Sequence, residues 1–73
     1  MKGNIGKSIR LIREQRDLNQ TELANYAGIS KVSVWKMEQG SLMPSLKTAI
    51  KLADALHCSL DDLCGRKFSR NSR

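Results

Sequence analysis

The sequence predicts an all-α fold, a compact bundle of five helices within a chain of 73 residues. Apolar residues recur three and four positions apart along most of the chain, which is the spacing of one face of an α-helix. No segment alternates apolar and polar residues in the way that a half-buried strand does. Each predicted helix after the first also follows a residue that caps helix N-termini well, and these residues are Asn19, Ser30, Ser45 and Ser59.

The first two predicted helices are separated by the short interruption DLN. The first covers residues 4–16 approximately, with one stripe that holds Ile5, Ile9, Ile12, Arg13 and Arg16. The second is the stretch QTELANYA. Asn19 caps it, and Glu22 three residues later completes a capping box. This helix ends at Gly28, because glycine is the residue best suited to a left-handed C-terminal turn.

The remaining three helices follow from the same kinds of signal. Ser30 caps the third helix, KVSVWKMEQ, and Gly40 ends it. After the loop SLMP, Ser45 caps a fourth helix, whose predicted core residues are Leu46, Ala49, Ile50, Ala53 and Leu56. That helix breaks at His57, and Ser59 begins a short fifth helix, LDDLC.

Length and charge limit the number of domains and the kind of partner. The chain has room for one domain, residues 1–64, followed by a basic tail, residues 65–73, whose composition is typical of disorder. The whole chain carries a net charge of +6, but residues 1–64 hold nine of the thirteen basic residues and all seven acidic ones, which leaves +2. A basic excess indicates an anionic partner, with nucleic acid the first candidate. Since no apolar segment matches a transmembrane helix or a signal peptide, we expect a cytoplasmic protein.

The sequence predicts neither catalysis nor a metal site. Asp61 and Asp62 are adjacent, so their side chains diverge on a helix and do not form a carboxylate pair. His57, Cys58 and Cys64 lack a fourth ligand, and no C-x-x-C pair is present. A chain this short buries only roughly 60% of its unfolded surface, which leaves little room for a ligand cavity. We therefore expect no enzyme activity, no cofactor and no small-molecule ligand, with both cysteines packed as core residues.

Residues 20–39 have the pattern of a helix-turn-helix motif. Two short helices are joined through AGIS, where Ala24 lets the helices approach, Gly28 permits the turn and Ile29 fills the space beneath it. In such a motif the second helix lies in the major groove of DNA while the first crosses the backbone. The spacing also fits an ordinary helical hairpin, so spacing alone leaves both interpretations open.

The third helix is predicted to present an unusual face to solvent. Because Val34 and Met37 must point toward the core, the opposite side faces outward. At 100° per residue, that outward side holds Lys31, Val32, Trp35 and Lys36. Lysines supply donors for guanine edges or phosphates, and the apolar groups fit thymine methyls. For Trp35, packing against a neighbouring helix is an equally consistent interpretation.

Glu38 lies on the inward side of the third helix, where a carboxylate is rarely buried without a partner. Arg13 lies on the core stripe of the first helix, four residues after Ile9. We therefore predict a partly buried ion pair between Arg13 and Glu38 that holds the third helix against the first. The alternative is that both side chains extend to solvent.

The segments IRLIREQRDLNQTELANYAGIS, VSVWKMEQG and PSLKTAIKLADALHCSLDDL resemble the Cro/C1-type (Xre-like) helix-turn-helix regulators, over residues 5–63. The resemblance implies a lambda repressor-like DNA-binding domain, with an arginine–glutamate pair at Arg13 and Glu38. It implies a sequence-specific transcriptional regulator, a repressor that binds a near-palindromic operator as a homodimer. The residues implied to contact bases, together with the neighbouring tryptophan, are Lys31, Val32, Ser33, Trp35 and Lys36. The residues implied to contact phosphates are Asn19, Gln20, Ser30 and Gln39.

Two features depart from the family pattern. The loop SLMP is uncharged, whereas family members often have a basic loop there that follows the DNA backbone. Its Leu42 and Met43, and Leu11 on the first helix, are candidates for a dimer interface. The family usually has glycine in a left-handed turn at the position of His57, a conformation that histidine adopts at some cost. An alternative function is a protein-interaction module on the same fold, antitoxin-like or adaptor-like, with weak or no specific DNA binding.

Overall fold

The computed structural model describes residues 5–64, which form five α-helices. They are α1 (Ile5–Gln15), α2 (Gln20–Ala27), α3 (Lys31–Gln39), α4 (Leu46–Leu56) and α5 (Leu60–Cys64). The all-α fold predicted from the sequence is therefore confirmed. The predicted basic tail, residues 65–73, lies outside the described residues. Within the described range, no helix combines the length and the apolar character that crossing a membrane requires.

The predicted capping residues begin the helices. Asn19 starts α2 in a capping box, in which its Oδ1 accepts from the N–H of Glu22 at 2.7 Å and Oε1 of Glu22 accepts from the N–H of Asn19 at 2.9 Å. Ser30 and Ser45 accept from backbone N–H groups in the first turns of α3 and α4. Ser59 does the same for α5 at 3.0 Å. Each cap pairs an N–H group that has no partner inside its helix, and so determines where the helix starts.

His57 ends α4 in the left-handed conformation predicted for it, with φ 56° and ψ 47°. Its N–H donates to carbonyl groups in the last turn of α4, which closes the helix. Asp17, in the turn between α1 and α2, also has a positive φ of 59°, which was not predicted from the sequence. Aspartate adopts this conformation more readily than most residues with a Cβ.

The core lies among all five helices. α1 packs against α3, α4 and α5, while α2 packs against α3 and α4. The buried apolar residues are Ile9, Leu23, Ala24, Ala27, Val34, Met37, Ala49, Leu52, Ala53, Leu56 and Leu63. Every helix thus contributes to one continuous cluster, as expected for a small domain with a single core.

On α4 the predicted core residues are partly wrong. Leu46 and Ile50 are exposed, while Leu52, which was not predicted, is fully buried. α4 is apolar over a wide arc, so its sequence allows more than one buried stripe. Leu46 and Ile50 lie roughly 70° and 110° from the centre of the stripe that faces the other helices.

Arg16 was predicted on the core stripe of α1, but it is exposed and bonds to the end of α4. Its Nε donates to the carbonyl oxygen of Leu56 at 2.8 Å, and its Nη2 donates to that of His57 at 3.2 Å. These carbonyls have no partner within α4, and a cation near a helix C-terminus is favourable. The guanidinium of Arg16 therefore ties α1 to the C-terminus of α4.

Candidate nucleic-acid interface

A three-residue turn, residues 28–30, joins α2 to α3. Gly28 has φ 71°, in the left-handed region, and the N–H of Ile29 donates to the carbonyl of Ala24 at 3.0 Å. Ala24 is buried, and Ile29 packs against the core from its edge. The roles predicted for these three residues are confirmed, and together they hold α2 and α3 in a fixed arrangement.

α3 exposes the side that the sequence predicted. Val34 and Met37 are buried against the core. The side chains on the opposite surface, which we name the outer face of α3, are all exposed and are Lys31, Val32, Trp35 and Lys36. Trp35 is 48% exposed and Val32 is 58% exposed, so neighbouring helices leave about half of each residue open to solvent. The indole therefore keeps a large apolar surface available to a partner.

The ion pair predicted between Arg13 and Glu38 is present. Nε of Arg13 donates to Oε2 of Glu38 at 2.7 Å, and Nη2 donates to Oε1 at 3.1 Å. The two side chains are only 11% and 5% exposed. The hydrogen bond to Glu38 raises the pKa of Arg13, and burial opposes this rise without reversing it. Two parallel hydrogen bonds between a guanidinium and a carboxylate make the ion pair strong and fix the relative orientation of the two groups. The pair therefore holds α3 against α1.

Gln20, the first residue of α2, binds the same carboxylate. Its Nε2 donates to Oε1 of Glu38 at 3.0 Å, so one carboxylate on α3 accepts from both α1 and α2. Sequence reasoning missed this bond, because no spacing rule relates Gln20 to a residue 18 positions later. The predicted phosphate contact of Gln20 stays a prediction, and its backbone N–H at the start of α2 remains suited to it.

The other predicted contact residues lie at the ends of α2 and α3. Asn19 and Ser30 use their side-chain oxygens as helix caps, and Gln39 is exposed in the last turn of α3. Ser33 is half-buried, and its Oγ accepts from Oγ of Ser30 at 2.9 Å. Ser33 therefore stands apart from the outer face of α3. The DNA contacts assigned to these residues stay predictions.

A shallow groove of about 510 Å³ lies where the α1–α2 turn, α2 and the end of α4 meet. Its lining residues are Arg16, Leu18, Tyr26, Asp54, Ala55 and His57. None of the residues predicted to contact DNA lines this groove, so it is a separate feature of the surface.

Both cysteines are half-buried, and Cys58 packs against the core as predicted. Burial raises the pKa of the Cys58 thiol, the nearby Asp62 carboxylate raises it further, and Arg16 opposes both effects. Over residues 5–64, no three potential metal ligands of the histidine, cysteine or carboxylate type come together.

The helix pair joined by the Gly28 turn, with its exposed lysines and buried ion pair, matches a known motif. A family model described as Helix-turn-helix covers residues 9–63. The chain belongs to the Cro/C1-type helix-turn-helix family. This membership agrees with the resemblance drawn from its sequence.

Among relatives of this helix-turn-helix chain is the cryptic phage CTXphi transcriptional repressor RstR of Vibrio cholerae. The two are 41% identical over 59 residues, which cover 78% of this chain and 53% of RstR. The Bacillus subtilis repressor RghR is 34% identical, over 82% of this chain and 45% of its own length. The chain thus spans about half the length of these relatives.

Solved structures of helix-turn-helix proteins have the same fold. The restriction–modification controller protein C.AhdI of Aeromonas hydrophila superimposes with a TM-score of 0.80 and 32% identity, covering 82% of this chain and 91% of C.AhdI. The P22 c2 repressor in complex with a synthetic operator has a TM-score of 0.80 and 28% identity, covering 86% and 96% of the two chains. The likeness therefore extends over nearly the whole described fold.

Proposed function

We propose that this chain is a sequence-specific regulator of transcription that binds double-stranded DNA. The observation that carries the proposal is the outer face of α3, which presents two lysines and two apolar side chains to solvent. The opposite side of the same helix is held by Glu38 to both α1 and α2. A recognition helix needs this combination of an exposed polar surface and a fixed position.

In this proposal Lys31, Val32, Trp35 and Lys36 enter the major groove and contact base edges, with Ser33 at the margin. Phosphates lie against the N-termini of α2 and α3, where unpaired N–H groups and the helix dipoles favour an anion. The residues placed at these phosphates are Asn19, Gln20 and Ser30. Gln39, in the last turn of α3, is placed at a further phosphate. The activity is one of binding alone, without a cofactor, and it takes place in the cytoplasm.

We further propose that the chain acts as a homodimeric repressor on a near-palindromic operator. Two copies of α3 in successive major grooves stand about 34 Å apart, a spacing that a two-fold symmetric dimer provides. Similarity to the P22 c2 repressor in complex with a synthetic operator and to the repressor RstR supports the assignment as a repressor that binds an operator. In this proposal the bound dimer represses by occluding a promoter.

A protein-interaction module on the same fold is the second candidate. It is favoured by the exposed apolar residues of the α3–α4 loop and of α4, which are Leu42, Met43, Leu46 and Ile50. A surface of this kind fits a protein partner as well as a second copy of the chain. The two functions differ in whether the chain distinguishes one DNA sequence from another.

Selection of bound duplexes from a randomised library, in excess nonspecific DNA, tests the proposal. We expect the wild-type chain to enrich a two-fold symmetric motif, and Lys36→Ala to lose or relax it. Lys51→Ala is the matched control, because Lys51 is an exposed lysine on α4 and should leave the motif unchanged. If the wild-type chain enriches no motif, the interaction module becomes the better explanation.

A further inference from the structure

The four side chains of the outer face of α3 offer hydrogen-bond donors but no acceptor. All four lie in the described part of the chain. The ammonium groups of Lys31 and Lys36 offer three donors each, and the indole of Trp35 offers one N–H. Val32 adds only apolar surface. Any base edge against these four side chains therefore meets hydrogen-bond donors and apolar surface but no acceptor.

The acceptors that α3 does possess are turned away from these four side chains or lie at the C-terminal end of the helix. Both oxygens of Glu38 accept from Arg13, and one also accepts from Gln20, on the buried side of the helix. The hydroxyl of Ser33 is half-buried beside Ser30. Gln39 is about 12 Å from the start of the helix, and the N-terminal part of a recognition helix is what contacts base edges.

The four bases differ in how well they match such a surface. In the major groove guanine shows two acceptors, N7 and O6, and thymine shows the acceptor O4 beside its C5-methyl group. Adenine and cytosine each show an amino group, which is a donor. A donor that faces another donor loses its hydrogen bond to water without replacement, which is unfavourable. The outer face of α3 therefore discriminates in favour of guanine and thymine.

The order of the side chains on the helix adds a spatial pattern. Val32 and Trp35 are three residues apart and hence neighbours on the helix surface. Lys31 lies one turn before Trp35, and Lys36 lies one turn after Val32. The apolar pair thus lies between the two ammonium groups.

We propose that each operator half-site places at least one thymine methyl group between two guanines. The thymine methyl packs against Val32 and Trp35, and the guanines, on either strand, accept hydrogen bonds from Lys31 and Lys36. This inference rests on the proposed function, because it names the bases that the same surface contacts. It also makes Val32 a determinant of specificity even though its side chain forms no hydrogen bond.

Base analogues placed in the selected duplex test the assignment on the full chain. Replacing the central thymine by uracil removes only the methyl group, and we expect about a fourfold loss of affinity, the effect of exposing one buried methyl. Replacing a flanking guanine by 7-deazaguanine removes only the N7 acceptor, and we expect about a tenfold loss. The same uracil replacement between the two half-sites is the control and should change nothing.

Variants of the chain assign each effect to a side chain. For Val32→Ala, the loss caused by uracil should shrink to less than twofold, because the packing partner of the methyl group is gone. For Lys36→Ala, 7-deazaguanine at one flanking position should have no further effect, while the loss caused by uracil persists. Lys51→Ala should retain both losses in full.

The possible results separate the two proposals. An enriched motif without a thymine between guanines, or an affinity that neither analogue changes, overturns the base assignment but leaves sequence-specific binding in place. Enrichment of no motif at all overturns both proposals together. Losses from both analogues that remain the same in the Val32 and Lys36 variants also overturn the assignment, because other residues would then make the contacts.

Discussion

A Cβ atom on Gly6 would collide with the carbonyl oxygen of Met37 and would lie 3.0 Å from that of Glu38. α1 therefore crosses the end of α3 at a distance that only glycine allows. The same end of α3 carries the carboxylate that Arg13 binds. A close backbone approach and a buried ion pair thus act together to position the proposed recognition helix.

Gly6→Ala should destabilise the protein even though alanine is the better helix former. Helix propensity alone favours alanine by about 1 kcal/mol. Overpacking against a backbone carbonyl, which cannot rotate away, costs about 1–3 kcal/mol and should exceed that gain. Urea unfolding followed by circular dichroism measures the difference, with Gln15→Ala on the exposed side of α1 as the control. A more stable Gly6→Ala variant would show that α1 and α3 lie further apart than described.

Glu38→Ala should reduce the free energy of unfolding by about 3–5 kcal/mol, because it leaves the Arg13 guanidinium buried without its partner. For a domain of this size, such a loss lowers the melting temperature by at least about 12 °C. Thermal denaturation measures the melting temperature. Glu38→Gln keeps an acceptor for Arg13, so its melting temperature should lie between those of the wild type and Glu38→Ala. A melting temperature within a degree or two of wild type would contradict the role given to the pair.

The chain contains a matched control for that experiment. Arg10 and Glu14 also form an arginine–glutamate pair, with Nε and Oε2 3.4 Å apart, but the two side chains are 64% and 55% exposed. Glu14→Ala should cost no more than about 0.5 kcal/mol, because an exposed pair gains little over its hydration. Equal losses in the two variants would mean that burial is not what gives the Arg13–Glu38 pair its strength.

The ends of the helices and the ion pair could be predicted because each depends on few residues. Asn19 caps α2 through a bond to a residue three positions away, and periodicity alone put Arg13 and Glu38 on facing stripes. The buried side of α4 could not be predicted in the same way. Leu46 and Leu52 are equally apolar, and which of them is buried depends on where α1, α2 and α5 lie.

His57→Gly should stabilise the protein. His57 has φ 56°, and its Cβ makes that conformation cost about 1–2 kcal/mol, which glycine avoids. Part of this gain is offset because glycine loses more backbone entropy on folding, so the net gain should be about 0.5–1 kcal/mol. Urea unfolding again measures the effect. Lys51→Gly, in the interior of α4, is the control and should lower the free energy of unfolding by about 1 kcal/mol. If His57→Gly also lowered it, the backbone of His57 would not be strained.

The exposed side of α3 could be predicted from the sequence, but the hydrogen bond from α2 that helps to hold this helix could not. Spacing placed Lys31 and Lys36 outside because it placed Val34 and Met37 inside, and the structure agrees. The bond from Gln20 to Glu38 joins residues with no periodic relation, and so it emerges only once three helices are packed.

The basic tail should strengthen DNA binding without contributing to the choice of sequence. Its four basic residues, which lie outside the described residues, are Arg66, Lys67, Arg70 and Arg73. Replacing all four by glutamine keeps the length of the chain and removes up to four phosphate contacts.

Each phosphate contact steepens the dependence of log affinity on log salt by about 0.9, so the slope should flatten by up to about 3–4 units. Titrations at several salt concentrations measure the slope, and library selection with the same variant should return the wild-type motif. The thermal denaturation curve should not change, because none of the four replaced side chains belongs to the core that residues 5–64 form in the described part of the chain. A changed motif would mean that tail residues contact base edges, since phosphate contacts alone carry no direct sequence information.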